Sequence, residues 1–216
     1  MDIVLIGTLL FLVNVVLSVL IALIIINKLY ISKKFSKEKD FHFYNDLFSW
    51  EIFFFTIAIE NVIKILSVSL PIDFFTYDVL LRIRILLLFF PFWNKIIHLE
   101  KVMNKITYKR HYLAGIIPFI IILLLSFTSL PNIILLCILT STSFIPYLLF
   151  LILLKNTGTP KLKSLKVISG VILIGLGSIF RPEIFLINLL NIISPIILII
   201  GTMLIFDSFR KEILID

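Results

Sequence analysis

Long apolar runs alternate with short polar segments along the chain, and their lengths predict helices that cross a membrane. A crossing takes about 20 apolar residues in a helix. We place helices at about residues 3–27, 47–70, 74–97, 112–130, 132–154, 166–181 and 184–207. The run at 166–181 is short and carries three glycines, so whether it crosses fully stays open. The pattern predicts an all-α fold, with residues 1–216 forming a single seven-helix transmembrane domain.

Composition agrees with a membrane domain and excludes a soluble one. The chain has 216 residues, of which 60% are hydrophobic, and its mean hydropathy is +1.15. A soluble domain of this size has too little interior to hide so much apolar surface. The formal net charge of +7 would suggest nucleic acid as a partner of a soluble protein, but here we attribute it to membrane orientation. We therefore expect the lipid bilayer as partner and no nucleic acid.

Basic residues are strongly biased to one side of the predicted helices. Sixteen of the twenty fall in the first, third and fifth loops, at their edges, or in the C-terminal tail, whereas Arg181 alone lies on the other side. The sixteen are Lys28, Lys33, Lys34, Lys37, Lys39, Lys95, Lys101, Lys105, Lys109, Arg110, Lys155, Lys161, Lys163, Lys166, Arg210 and Lys211. Positive loops stay in the cytoplasm, which predicts an external N-terminus, a cytoplasmic C-terminus and a multi-pass protein of the cell membrane.

Away from their cytoplasmic ends, the second and third predicted helices carry five charged residues: Glu60, Lys64, Asp78, Arg82 and Arg84. A charge near the bilayer centre costs roughly 2.5–3.5 kcal/mol unless it is paired or hydrated. Glu60 and Lys64 are four residues apart, as are Asp78 and Arg82, so each pair can form within one helix. Glu60 and Arg84 share a depth of about 15 Å, which predicts a pair across the hairpin. Arg82 and Arg84 point about 200° apart, so we assign Arg82 to Asp78.

Other polar groups fall at similar depth on the first, fifth and seventh predicted helices. These groups are Asn14, residues 140–143, Asn188, Asn191 and Ser194. The inner halves are apolar, as in residues 53–55, and only Thr56 and Thr202 interrupt them. We predict a polar chamber in the outer half above an apolar floor. Two structural alternatives remain open: the ion pairs lock the hairpin, and the asparagines serve as hydrogen-bonding contacts between helices.

No catalytic or metal-binding motif accompanies these residues. His42, His98 and His111 all fall in predicted cytoplasmic loops, without partners at metal-ligand spacing. The chain has no G-x-S-x-G elbow and no phosphate-binding glycine loop. We therefore expect no enzymatic activity, no metal and no cofactor.

Short motifs in the last third of the chain give it a family resemblance. They are Pro146-Tyr147, residues 155–158 with Lys161 and Lys163, the glycines at 170, 175 and 177, Ser194-Pro195, and Gly201. With these motifs the chain resembles a group of uncharacterised archaeal seven-pass integral membrane proteins, some of whose relatives resemble the membrane input modules of sensor kinases. The resemblance implies a seven-helix bundle in a membrane and supplies no ligand or reaction.

The functional expectation is a receptor-like sensor. A small polar or anionic ligand would enter the chamber and contact Lys64, Arg82 or Arg84, and a cytoplasmic or membrane protein partner would carry the signal. Asn188 and Asn191 are further candidate contacts. The alternatives are a transporter or transporter subunit, and a non-catalytic scaffold of a membrane complex.

Overall fold

A computed structural model describes residues 3–35, 46–70, 73, 76–87, 90, 96, 120–121, 124, 131–145, 161–180 and 187–214. The longer elements in these ranges are all helical. They are α1 (Ile3–Phe35), α2 (Asp46–Ser69), α3 (76–87), α4 (Asn132–Leu139, followed by a π-helical turn over Thr140–Phe144), α5 (Lys161–Ile179) and α6 (Leu190–Leu214). No strand occurs in the described ranges, as the apolar pattern predicted.

The helix ends differ from the predicted ones where local residues favour another conformation. α1 continues past residue 27 to Phe35, because Lys and Leu after the apolar run are good helix formers. α6 begins at Leu190 rather than 184, since Asn188 lies in a turn that the Leu190 N–H closes on the Ile187 carbonyl at 3.0 Å. α5 begins at Lys161, five residues early. Most of the predicted helix at 112–130 lies outside the described residues.

Polar and apolar side chains are distributed as in a membrane protein. Among the described residues, three helical stretches are long and apolar enough to cross a bilayer: Ile3–Tyr30, Phe48–Ser69 and Leu190–Ser208. α1 exposes a face of large apolar side chains that includes Leu5, Leu12 and Leu20. The buried residues include Asn14, Glu60, Asn61, Lys64, Arg84 and Thr202. Exposed aliphatic groups around buried charges are unfavourable in water and favourable in lipid, which indicates an integral membrane protein.

Close backbone contacts fix the directions of the last two helices. A Cβ added to Gly201 would lie 2.8 Å from the Gly170 carbonyl oxygen, and one added to Gly170 would lie 2.8 Å from the Gly201 oxygen. Further along α5 and nearer the start of α6, the Ser194 hydroxyl donates to the Gly177 carbonyl at 2.6 Å. Because residue numbers fall along α5 as they rise along α6, the two helices are antiparallel. Small residues allow this approach in membrane bundles.

α1 packs beside α6 and runs in the same direction. Gly7 lies against the Asn191 backbone, where an added Cβ would be 2.5 Å from the carbonyl oxygen. Further along, the Thr202 hydroxyl donates to Asn14 Oδ1 at 3.5 Å. Pro195 lies inside α6 and has no N–H to donate to the Asn191 carbonyl. The Gly7 backbone therefore lies beside a carbonyl that cannot accept the usual hydrogen bond from four residues further along its own helix.

Candidate functional site: a buried polar core

The strongest feature of the interior is an ion pair between α2 and α3. Arg84 Nε lies 3.2 Å from Glu60 Oε1, and the two side chains are 1% and 2% exposed. The shared depth of these residues across the hairpin predicted this pair, and the structure confirms it. Removing two charges from water is unfavourable, so a pair at this burial needs close mutual contact to be tolerated. Glu60 and Arg84 are the first members of a group that we call the polar core.

The second predicted pair is also present, but it lies apart from the polar core. Arg82 Nε lies 3.0 Å from Asp78 Oδ2, with side chains 18% and 37% exposed. Arg82 and Arg84 serve different faces of α3, as their spacing predicted. A half-exposed pair at four-residue spacing contributes little to stability and is available to solvent or lipid headgroups. Asp78 and Arg82 therefore do not line the same interior as Glu60.

Lys64 joins the polar core from one turn further along α2. Its side chain is 3% exposed, and its ammonium nitrogen lies 4.2 Å from the centroid of the Phe11 ring on α1. An ammonium over an aromatic face is stabilised by the ring quadrupole, more so away from water. The residue pattern did not predict this contact, because Phe11 is one aromatic residue in a long apolar run. The predicted pairing of Lys64 with Glu60 stays a prediction.

Asn14 and Thr202 extend the polar core to α6. Thr202 was expected in the apolar floor, and that placement was wrong: its buried hydroxyl donates to Asn14. The error arose because depth was counted from a helix start at 184, whereas α6 begins at Leu190. The later start moves Thr202 toward the level of Asn14, about 16–18 Å from the first residues of the two helices.

Three atoms of the polar core lack a hydrogen-bond partner among the described residues. They are Asn14 Nδ2, Ser18 Oγ and Asn61 Oδ1, each on a side chain with 0% exposure. The Asn61 amide nitrogen donates within α2, to the Ile57 carbonyl at 2.8 Å, which leaves its oxygen unused. Buried polar atoms are nearly always satisfied by protein or by ordered water, so these three are exceptions in an otherwise packed interior.

Several predicted chamber residues lie elsewhere. Asn188 is exposed in the turn before α6, and Asn191 is half-buried with its backbone against Gly7, so the asparagine stripe does not form one face of a helix. On α4, Thr140 and Ser141 donate to carbonyls of their own helix, at Leu136 and Cys137. Among the described side chains, the polar core therefore draws on α1, α2, α3 and α6, and the side chains of Thr142 and Ser143 lie outside that description.

The apolar floor predicted on α2 is confirmed by the residues that the structure describes there. Phe53 and Phe54 are 0% and 1% exposed, and Trp50 lies edge-on to Phe53 at a centroid distance of 5.1 Å. The Thr56 hydroxyl donates to the Ile52 carbonyl at 2.7 Å, so it adds no free polar group to this layer. Packed aromatic rings thus close the polar core on the side toward the start of α2.

No metal site accompanies the polar core. Within the described ranges, no three His, Cys, Asp or Glu residues come together as metal ligands would. The three histidines lie outside those ranges. The site therefore offers charge and hydrogen bonds from Glu60, Lys64, Arg84 and the neutral amides and hydroxyls.

Comparisons with known proteins return no relative of this chain. No protein-family model, curated protein or solved structure matches it. The resemblance to archaeal seven-pass proteins and to sensor-kinase input modules accordingly stays a prediction.

Proposed function

We propose that this chain is a seven-pass, receptor-like sensor of the cell membrane that binds a small anionic or polar ligand at the polar core. The observation that carries the proposal is the buried Glu60–Arg84 pair, with Lys64 one turn away, inside an apolar bundle. Ionisable groups in membrane interiors are unfavourable, and where they occur they commonly mark a ligand or ion pathway. Such a cost at three neighbouring positions favours a binding role over a purely structural one.

The directions of α1 and α6 support the proposed topology. These helices run in the same direction and both are long enough to cross, so the chain makes an odd number of crossings between their starts and ends. Seven crossings satisfy this condition. Together with the basic loops, it supports an external start of α1 and a cytoplasmic end of α6. The polar core then lies about 8–22 Å below the external ends of its helices.

The charges of the polar core favour an anion. Its described ionised side chains are one carboxylate, one ammonium and one guanidinium, a formal sum of one positive charge. An anionic ligand can replace the Glu60 carboxylate on Arg84 and also approach Lys64. Its negative charge then balances the positive charge of the polar core. Arg84 presents a planar fork suited to carboxylates and phosphates. If a ligand carboxylate replaced Glu60 on Arg84, the ion pair that joins α2 to α3 would be lost. The ligand-bound and ligand-free states would then differ in the contact between these helices, and a sensor requires a ligand that distinguishes two states.

A thermal-shift titration of the purified full chain in lipid nanodiscs tests the proposal. The probes are acetate, glutamate, inorganic phosphate and sulfate, each raised against a matched chloride concentration. A ligand at a hundredfold its Kd stabilises the folded state by about 2.7 kcal/mol. We expect such a rise in Tm for at least one probe in the wild type, and its loss in Lys64→Met, which keeps length and removes charge.

The matched control is Lys166→Met on α5. Lys166 is half-exposed and bonds Asp207 on α6, away from the polar core, so the ligand response should persist there. No stabilisation of the wild type by any probe, or equal stabilisation of Lys64→Met, would contradict the proposal. Accumulation of the stabilising probe inside proteoliposomes would show that the protein is a transporter rather than a sensor.

A further inference from the structure

A second binding site in the interior is marked by neutral side chains. Asn14 Nδ2, Ser18 Oγ and Asn61 Oδ1 are fully buried, and none of them has a hydrogen-bond partner among the described residues. In a bilayer no bulk water can reach such atoms, so a missing partner is more unfavourable than in a soluble protein. The position of the three atoms relative to one another decides whether one molecule can serve them all.

The contact between Lys64 and Phe11 fixes how α1 and α2 lie against each other. The connection from Phe35 to Asp46 reaches at most about 40 Å. A parallel arrangement with Phe11 beside Lys64 would require it to span about 60 Å. The helices are therefore antiparallel. Asn14 is three residues after Phe11 on α1, and Asn61 is three residues before Lys64 on α2. Because the helices are antiparallel, Asn14 and Asn61 lie at the same level.

The side-chain directions bring the three atoms to one place. Ser18 follows Asn14 by four residues, so both lie on the same face of α1, and Ser18 is level with Ile57 on α2. The Asn61 amide bends back along α2 to bond the Ile57 carbonyl, which brings Asn61 Oδ1 between the levels of Asn14 and Ser18. By this count the three unused atoms lie within about one helical turn of one another along the axes of α1 and α2.

Their chemistry selects a neutral ligand that both donates and accepts. Asn14 offers an N–H donor, Asn61 an acceptor oxygen, and Ser18 a hydroxyl that does either. A cation would need several oxygens and an anion several donors, whereas this set is mixed. Buried waters typically make about three hydrogen bonds to otherwise unsatisfied groups. We propose that an ordered water molecule is bound between α1 and α2 and joins Asn14, Ser18 and Asn61. The three residues belong to the polar core, but this proposal does not rest on the proposed ligand site, because it uses none of the charged side chains that would hold an anion.

Water-edited solid-state NMR of the full chain in lipid bilayers, with ¹⁵N-labelled asparagine, tests this site. Polarisation from water should reach the side-chain amides of Asn14 and Asn61 as it reaches exposed Asn188, although both are buried. In Asn61→Leu the transfer to Asn14 should fall, because the water loses one of its partners. Ser18→Ala is a smaller change and should also lower the transfer from water to Asn14. It provides the test if Asn61→Leu does not fold.

Thr8→Val is the matched control for these variants. The Thr8 hydroxyl lies on α1 and already donates to the Val4 carbonyl at 2.9 Å, so its removal should leave the Asn14 signal unchanged. The proposal is overturned if Asn188 receives polarisation while Asn14 and Asn61 do not. It is equally overturned if transfer to Asn14 is the same in wild type, Ser18→Ala and any folded Asn61→Leu protein. Loss of anion binding would not affect either outcome.

Discussion

Replacing Arg84 by methionine should destabilise the protein far more than the same change at Arg82. Arg84→Met leaves the Glu60 carboxylate, 2% exposed, without its guanidinium partner at 3.2 Å. Breaking a buried pair by removing one partner destabilises by about 3–5 kcal/mol. Asp78 and Arg82 are 37% and 18% exposed, and such pairs contribute about 0–1 kcal/mol. Both variants remove a guanidinium group from α3, so the difference between their losses of stability reports the effect of burying the ion pair.

The double variant separates the ion pair from other effects of each substitution. Glu60→Leu combined with Arg84→Met removes both charges and leaves apolar side chains in a lipid-surrounded interior. Apolar replacement of a whole buried pair is often neutral or stabilising by about 1–4 kcal/mol. We therefore expect the double variant to be more stable than either single one, with a large favourable coupling in the cycle.

Unfolding of purified protein by sodium dodecyl sulfate in mixed micelles, followed by circular dichroism, measures these free energies. A loss in Arg84→Met no greater than in Arg82→Met would refute the assignment of Arg84 to a dry interior. A double variant whose loss equals the sum of the two single losses would show that Glu60 and Arg84 do not depend on each other.

Two further substitutions address the contact between α5 and α6. Gly201→Ala places a methyl group 2.8 Å from the Gly170 carbonyl oxygen, so it should lower stability by about 1–3 kcal/mol. The three atoms nearest to a Cβ added at Gly175 belong to the Phe144 ring, and a side chain can shift where a backbone carbonyl cannot, so Gly175→Ala should lower stability less. The reverse order of Tm values would be inconsistent with backbone contact at Gly201. Ser194→Ala removes the bond to the Gly177 carbonyl and should lower the free energy of unfolding by about 1 kcal/mol, measured against Thr140→Val, whose hydroxyl serves its own helix. Equal losses in these two variants would contradict an interhelical role for Ser194.

The sequence was informative where depth and spacing decide which side chains meet. Glu60 and Arg84 are separated by a short hairpin, so equal distances from the turn were enough to predict their contact. Asp78 and Arg82 follow the four-residue spacing of a single helix. The apolar run before Glu60 correctly predicted buried aromatic residues at Phe53 and Phe54.

The remaining features depend on how distant helices are placed, which a local pattern does not encode. Thr202 reaches Asn14 because α1 and α6 are neighbours and because α6 begins late, and neither fact follows from hydropathy. Asn188 was assigned to a helix because apolar residues surround it, although asparagine favours turns. The Lys64 contact with Phe11 would require knowing which of many apolar faces on α1 meets α2.

The bond between Thr202 and Asn14 joins residues 188 positions apart, which has a consequence for how the protein is made. At about 5–20 residues per second, a ribosome needs roughly 10–40 s after placing Asn14 to add Thr202. During that interval the nascent chain holds a hydrophilic amide in its first inserted helix without the neighbour that later satisfies it. During synthesis, the Asn14 side chain must therefore be shielded from lipid by insertion factors or by other helices until α6 is inserted and Thr202 can bond it.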